Sequence, residues 1–251
     1  MPAIRVEAVR GGVRLTIDRT ERRNSLDAAG LDELHRALDA AERDPACRLV
    51  LLAGRDGVFC TGMDLAAAAG GPSADGGQAF FDLLRRFTTT PLVVVSTVDG
   101  QVAGGGVGLV AASDLVYATR RSTFALPEAL WGLLPCCVLP FLVRRVGFQK
   151  AYAMTLSTQA VNAVEAAGCA LVDEVSDALD EPVRRLAYRL DRLDVTAVAE
   201  TKRYFGRLWG IPVETERTAV AELGRLMAAP AVRHRLAEFA STGRYPWEGR
   251  R

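Results

Sequence analysis

The 251-residue chain contains no run of about 18 uncharged apolar residues, so no segment reads as a membrane-spanning helix. Neither charge is in excess. With 31 Lys and Arg against 30 Asp and Glu there is no electrostatic footprint for nucleic acid or an anionic membrane surface. Histidine is nearly missing: His35 and His234 are the two, both expected in surface or packing roles. No His/Cys/Asp/Glu set has metal-ligand spacing, so neither a metal nor another cofactor is expected. The five cysteines, Cys47, Cys60, Cys136, Cys137 and Cys169, are odd in number and follow no small-domain spacing. Reduced thiols and a cytoplasmic location are the expectation, and the Met1–Gly12 segment lacks the apolar stretch of a signal peptide. Nucleotide signatures are missing too. The third glycine of a dinucleotide fingerprint would fall at Leu109, and no Gly-Lys-Ser/Thr follows. No Gly-x-Ser-x-Gly elbow marks a hydrolase.

What is present is an ordinary globular composition with alternating strand and helix patterns. Ile4–Val9 and Val13–Asp18 read as a hairpin about Gly11-Gly12, and Arg48–Gly54, Leu92–Val98 and Asp114–Ala118 as buried strands. A helical pattern through Leu31, Leu34, Leu38 and Ala41 is preceded by two candidate caps, Ser25 and Asp27; another spans Gln78–Thr88. Ala66–Gly77, rich in Ala and Gly, reads as a loop. This alternation predicts an α/β layered core. After Leu179 the strands stop, and helical segments follow at 180–193, 195–209 and 213–241, with breaks at Gly210-Ile211-Pro212 and Pro230. The division expected is a core over residues 1–190 that holds the active site, and a helical oligomerisation region over 191–251.

Three segments carry chemistry. Gly104-Gly105-Gly106-Val107-Gly108 lies between a strand and a helical start, where backbone can approach a ligand and free N–H groups favour an anion; tight helix–strand packing is the other reading. Phe59-Cys60-Thr61-Gly62-Met63-Asp64-Leu65 follows a buried strand and can aim one more N–H into a cleft. In Leu126-Pro127-Glu128-Ala129-Leu130-Trp131-Gly132-Leu133-Leu134-Pro135 a carboxylate stands among apolar residues, where burial raises its pKa towards the range of a proton shuttle. Taken singly, Glu128 also reads as a helix-start acid.

In order and spacing, Asn24-Ser25-Leu26, Phe59–Leu65, Gly104–Gly106 and Pro127–Pro135 resemble the motifs of the crotonase (enoyl-CoA hydratase/isomerase) family, across nearly the whole chain. The resemblance implies a crotonase-type spiral of ββα turns with a C-terminal helical trimerisation region, and substrates that are acyl thioesters of CoA or an acyl carrier protein. It implies an oxyanion hole made by the backbone N–H groups of Met63 and Gly105, with Glu128 as the catalytic acid–base. Around them Arg23, Ser25, Leu26, Asp64, Gly104, Gly108, Leu133 and Cys136 are the implied substrate contacts, and a homotrimer, or a hexamer built as a dimer of trimers, is the implied assembly.

One position departs from the family pattern. Family hydratases carry a second glutamate four residues beyond the first glycine of the triplet, and here that residue is Gly108. A single carboxylate leaves double-bond isomerisation, elimination or decarboxylation. The run Pro127–Leu142, continuing through Arg144–Ala151, and the closing Tyr245-Pro246-Trp247-Glu248 resemble the hydratase homologues of polyketide β-branching cassettes. The expected reaction is therefore dehydration of a carrier-bound 3-hydroxy-3-methylglutaryl thioester to the 3-methylglutaconyl thioester. Enoyl-CoA isomerisation or hydration and decarboxylation of the glutaconyl thioester are the alternatives.

Overall fold

The computed structural model describes residues 2–69, 76–194 and 196–248. Its strands are β1 (Ile4–Val9), β2 (Gly12–Ile17), β3 (Leu49–Ala53), β4 (Val58–Cys60), β5 (Val93–Val98), β6 (Gln101–Ala103), β7 (Leu115–Ala118), β8 (Thr123–Ala125), β9 (Val161–Asn162) and β10 (Glu174–Val175). The helices of the core are α1 (Ala28–Arg43), α2 (Leu65–Ala68), α3 (Gly76–Thr89), α4 (Gly105–Ala112), α5 (Glu128–Trp131), α6 (Leu139–Val146), α7 (Phe148–Ser157) and α8 (Ala163–Gly168). Four more follow: α9 (Asp180–Leu190), α10 (Ala197–Leu208), α11 (Val213–Ala228) and α12 (Pro230–Thr242).

After the β1–β2 hairpin the chain repeats one unit: a long strand, a short strand, then helix. One sheet pairs in parallel in the order β2-β3-β5-β7-β10, with the two-residue β10 at its edge, and the short strands form a second sheet in the order β4-β6-β8-β9. Successive units therefore stack as turns of a spiral, as the ββα expectation requires. Strands β3 and β5 are covered on both faces: Leu49–Leu52 and Val93–Val98 are buried throughout, with the Ser96 and Thr97 hydroxyls bonded to Ser113 and to the Leu52 carbonyl. Asp27, not Ser25, caps α1, accepting the Gly30 N–H at 2.9 Å.

Two expectations shift. Within Ala66–Gly77, expected as loop, 66–68 and 76–77 are helical, and 70–75 lie outside the described residues. Residue 114 does not open β7. The Asp114 carboxylate accepts the Val94 N–H at 2.7 Å and pairs with Lys202 at 2.6 Å, tying α10 to the sheet. Among the described residues no helix is long and apolar enough to cross a membrane.

Candidate active site

The three chemistry-bearing segments leave three adjacent strands at one edge. β4 pairs in parallel with β6, and β6 with β8, so the chain exits all three in the same direction, about 4.8 Å apart per strand. Thr61-Gly62-Met63 follows β4, Gly104-Gly105 follows β6, and Pro127-Glu128 begins two residues past β8.

In the first segment the Leu26 N–H donates to the Gly62 carbonyl at 2.8 Å, and the Asp64 N–H to the Leu26 carbonyl at 2.9 Å. A parallel bridge of this kind uses the polar groups on either side of Met63 and turns the Met63 N–H the opposite way. Gly62 holds φ +88°, and a Cβ there would stand 2.6 Å from the Gly105 nitrogen. Only glycine allows that approach. Asp64 is buried and occupied locally: it caps α2 through the Ala67 N–H at 3.1 Å and pairs with Arg19 at 3.2 Å. Arg19 also pairs with Asp27 at 2.7 Å and donates to the Ser25 carbonyl at 2.6 Å.

In the second segment Gly105 is the first residue of α4, and its N–H has no intrahelical acceptor. Among the described residues neither this N–H nor that of Met63 donates a hydrogen bond. The glycines divide their tasks. A Cβ on Gly106 would sit 2.3 Å from the Cys60 carbonyl oxygen, so that glycine serves the packing of α4 on β4.

The third segment places Glu128 at the start of α5. Its Oε1 lies 3.2 Å from where a Cβ on Gly104 would be, and its Oε2 is shut from solvent with no hydrogen-bond partner. Loss of water pushes the carboxyl up to about 7, against a smaller opposing pull from its own backbone N–H. A buried carboxylate without a counter-ion holds its proton more tightly, which puts half-titration near neutrality.

These groups border one cavity of about 440 Å³, a size typical of small-molecule sites. Met63, Gly105, Glu128, Leu26, Asp64, Gly104, Leu133 and Cys136 all line it. Three expected contacts do not. Arg23 is exposed at the rim, donating to Gln101 and accepting from the Thr61 hydroxyl at 2.9 Å through its carbonyl. Ser25 is buried behind Leu26 with its carbonyl held by Arg19. Gly108 faces a filled space: a Cβ there would meet Val138 Cγ2 at 3.0 Å, Leu84 Cδ1 at 3.2 Å and Phe80 Cζ at 3.3 Å. Apolar side chains thus crowd the root of a second carboxylate.

Sequence reasoning missed other parts of the wall, namely Phe80 of α3, Trp131 of α5, and Val220, Leu223 and Met227 of α11. Nothing local to α11 marks it, because its contact with the site is made across the whole fold. Cys136 and Cys137 are wall residues whose thiols burial pushes up to about 11 and about 12, so they remain protonated and poorly nucleophilic. His35 bridges helices, with Nε2 at 3.0 Å from the Ala79 carbonyl and Nδ1 at 3.2 Å from Arg86. Among the described residues, no group of three metal-ligating side chains converges, and no Lys, Arg or His lines the cavity.

Two unpaired N–H groups facing a cavity beside a carboxyl that titrates near neutrality can hold an oxyanion and move a proton. A family model described as enoyl-CoA hydratase/isomerase matches residues 8–250. The chain is 32% identical to the bacillaene synthase dehydratase PksH of Bacillus subtilis (strain 168), over 93% of this chain and 92% of that one. It is 32% identical to the 1,2-epoxyphenylacetyl-CoA isomerase of Escherichia coli (strain K12), over 73% and 72%. The solved structure of the polyketide biosynthesis enoyl-CoA hydratase of Bacillus subtilis superposes with a TM-score of 0.91 at 30% identity, covering 97% of this chain and 99% of the other. The spiral is therefore the crotonase fold, and the chain is an enzyme of the enoyl-CoA hydratase/isomerase, or crotonase, family.

Proposed function

We propose that this enzyme is a hydro-lyase that removes water from a 3-hydroxy-3-methylglutaryl thioester on an acyl carrier protein, giving the 3-methylglutaconyl thioester. The thioester oxygen lies between the Met63 and Gly105 N–H groups. Glu128, ionised at the start, takes the proton from C2, and the resulting enolate is held by the two donors. The electron pair then expels the 3-hydroxyl, which leaves as water carrying the proton that Glu128 returns. No metal or other cofactor takes part.

The observation that carries this reading is the isolation of Glu128. The other carboxylates on the described wall, Asp27 and Asp64, are both paired with Arg19, and the cysteine thiols stay protonated. One carboxylate must then serve both proton transfers, which suits an elimination at one face of the substrate better than the addition of a separately activated water. The likeness to the bacillaene synthase dehydratase over 93% of the chain supports the polyketide setting. The exposed pair Arg22-Arg23, beside Thr61 at the rim, is suited to the phosphate of a phosphopantetheine arm or of CoA. Residues 1–190 would then form the catalytic spiral, and 191–251 would include the surface that joins three copies.

A second reading rests on the cation-free wall. A glutaryl carboxylate beside Glu128 would meet no positive partner among the described lining residues, whereas a neutral enoyl thioester needs none. In that reading Glu128 shuttles one proton in a double-bond isomerisation. Mass spectrometry of 3-hydroxy-3-methylglutaryl-carrier protein incubated with the enzyme separates the two. Loss of one water, abolished in Glu128→Gln while the loaded carrier still binds, is the expected result. An unchanged mass while a 3-enoyl-CoA is isomerised would overturn the dehydratase, and loss of carbon dioxide from the glutaconyl carrier would assign the enzyme to decarboxylation.

A further inference from the structure

The closing Tyr245-Pro246-Trp247-Glu248 segment has no part in the chemistry above, yet it packs directly on the element that carries Glu128. Trp131, three residues after Glu128 on the four-residue α5, is buried. Its ring is edge-on to Phe239 at 5.2 Å, Trp247 at 5.5 Å and Tyr245 at 6.0 Å. Tyr245 and Trp247 stack at 4.9 Å, and the turn presenting them is closed by the Glu248 N–H on the Tyr245 carbonyl at 3.0 Å and the Tyr245 N–H on Glu248 Oε2 at 3.0 Å. Arg235 of α12 donates to the Trp131 carbonyl at 2.9 Å, supplying the partner that the end of so short a helix lacks. The same cluster reaches the other half of the site. Val232 and Leu236 of α12 join Trp131 and Leu133 in a hydrophobic group against which Leu65, Ala68 and Ala69 are packed, and α2 begins two residues after Met63.

Helices of four residues have no stability of their own, so α2 and α5 sit where their packing puts them. We propose that Trp131, Trp247 and Arg235 are positioning residues, and that the C-terminal tail clamps α5 to α2 so that the Glu128 carboxyl is held, dry, opposite the Met63 and Gly105 N–H groups. This rests on the reading of Glu128 as the proton carrier. Edge-to-face aromatic pairs add attraction beyond burial, so three rings on Trp131 can fix one short helix. The charges around Glu128 do not compete with this effect. Asp27 and Asp64 are held by Arg19, and the Arg225–Glu222 pair lies near Cys136 on α11.

The test needs no substrate for its first half. In protein labelled with carbon-13 at the glutamate carboxyls, Glu128 is assigned as the resonance lost in Glu128→Gln and is titrated by NMR. The native midpoint is expected at about 7. In Trp247→Ala, water admitted beside the carboxyl should lower the midpoint by roughly one unit or more, and Trp247→Phe, which keeps a ring, should restore most of it. With the 3-hydroxy-3-methylglutaryl carrier, kcat should fall about tenfold to 100-fold in Trp247→Ala with KM within about twofold. Melting temperature and elution volume identify folded protein, and Trp247→Leu carries the same comparison should the alanine variant not fold. A folded variant that melts lower but titrates and turns over like the native enzyme would overturn the clamp. If the native enzyme fails to dehydrate the carrier while the midpoint still moves in Trp247→Ala, the clamp stands and the substrate assignment falls.

Discussion

At the residue scale, Glu128 ties stability to pH in the opposite sense from an ordinary salt-bridged carboxylate. Its folded value, about 7, lies above the 4.5 of the free side chain. Between those two values the folded state binds more proton than the unfolded chain, so the contribution of this group is fully present below about pH 4.5 and is lost as pH rises through 7. The whole span corresponds to roughly 3 kcal/mol at most. Glu128→Gln keeps the shape and removes the titration. It should therefore melt several degrees above the native enzyme at pH 8 and by little or nothing at pH 4.5, a comparison that paired thermal scans check directly. Equal melting differences at the two pH values would show that the Glu128 carboxyl is not dry. The same property predisposes the residue to its proposed work, because a group half-ionised near neutrality both takes and returns a proton with little cost.

At the scale of elements, the short strands β4, β6 and β8 explain why residues far apart in the chain meet. Strands β3 and β5 are legible in the sequence because Leu49–Ala53 is wholly apolar and Val93–Val98, but for Ser96 and Thr97, is valine. Val58–Cys60, Gln101–Ala103 and Thr123–Ala125 are three residues each, too short to display any period. Their parallel pairing, which aims Met63, Gly105 and Glu128 at one space, therefore left no local mark. The motif resemblance points to those three residues and also to Arg23, Ser25 and Gly108, which lie off the described cavity wall: Arg23 exposed at its rim, Ser25 buried, and Gly108 against Val138, Leu84 and Phe80. The wall supplied by Val220, Leu223 and Met227 was not legible at all, since an amphipathic helix shows which face it buries but not what it buries it against. The turn after β4 is the most constrained of these elements. Gly62→Ala would drive a methyl to 2.6 Å from the Gly105 nitrogen, at a φ of +88° that alanine resists. Spreading the two donors should cost about 100-fold to 1,000-fold in kcat, the effect of losing one oxyanion donor. Steady-state kinetics on the folded variant would measure it, and a kcat within about threefold of native would argue that the two N–H groups do not act as a pair.

At the scale of the molecule, the C-terminal helices do two different things. α11 and α12 turn inward, and Glu216 of α11 is buried between Arg85 and Gln78 of α3, the latter donating at 2.5 Å. α10 is fastened by Lys202, which reaches the Phe87 and Leu92 carbonyls at 2.8 and 2.7 Å as well as Asp114. Its outer side is left bare: Tyr204, Phe205, Leu208 and Trp209 are exposed, followed by Val213 at the start of α11. A band of large apolar side chains on a helix rigidly pinned to the core is an interface surface rather than a loose end. It is the candidate surface for the proposed trimer, separate from the aromatic cluster about Trp131. Phe205→Glu combined with Trp209→Glu puts like charges into that face without touching Lys202 or the cavity wall. Light scattering of the double variant should give a monomer where the native enzyme is expected to give the proposed trimer. Glu128 should still titrate near 7 in that monomer, because the described contacts that dry it are made within one chain. A monomer whose Glu128 midpoint has dropped to the ordinary carboxylate range would mean instead that a neighbouring copy completes the site, and a variant that remains trimeric would move the interface away from α10.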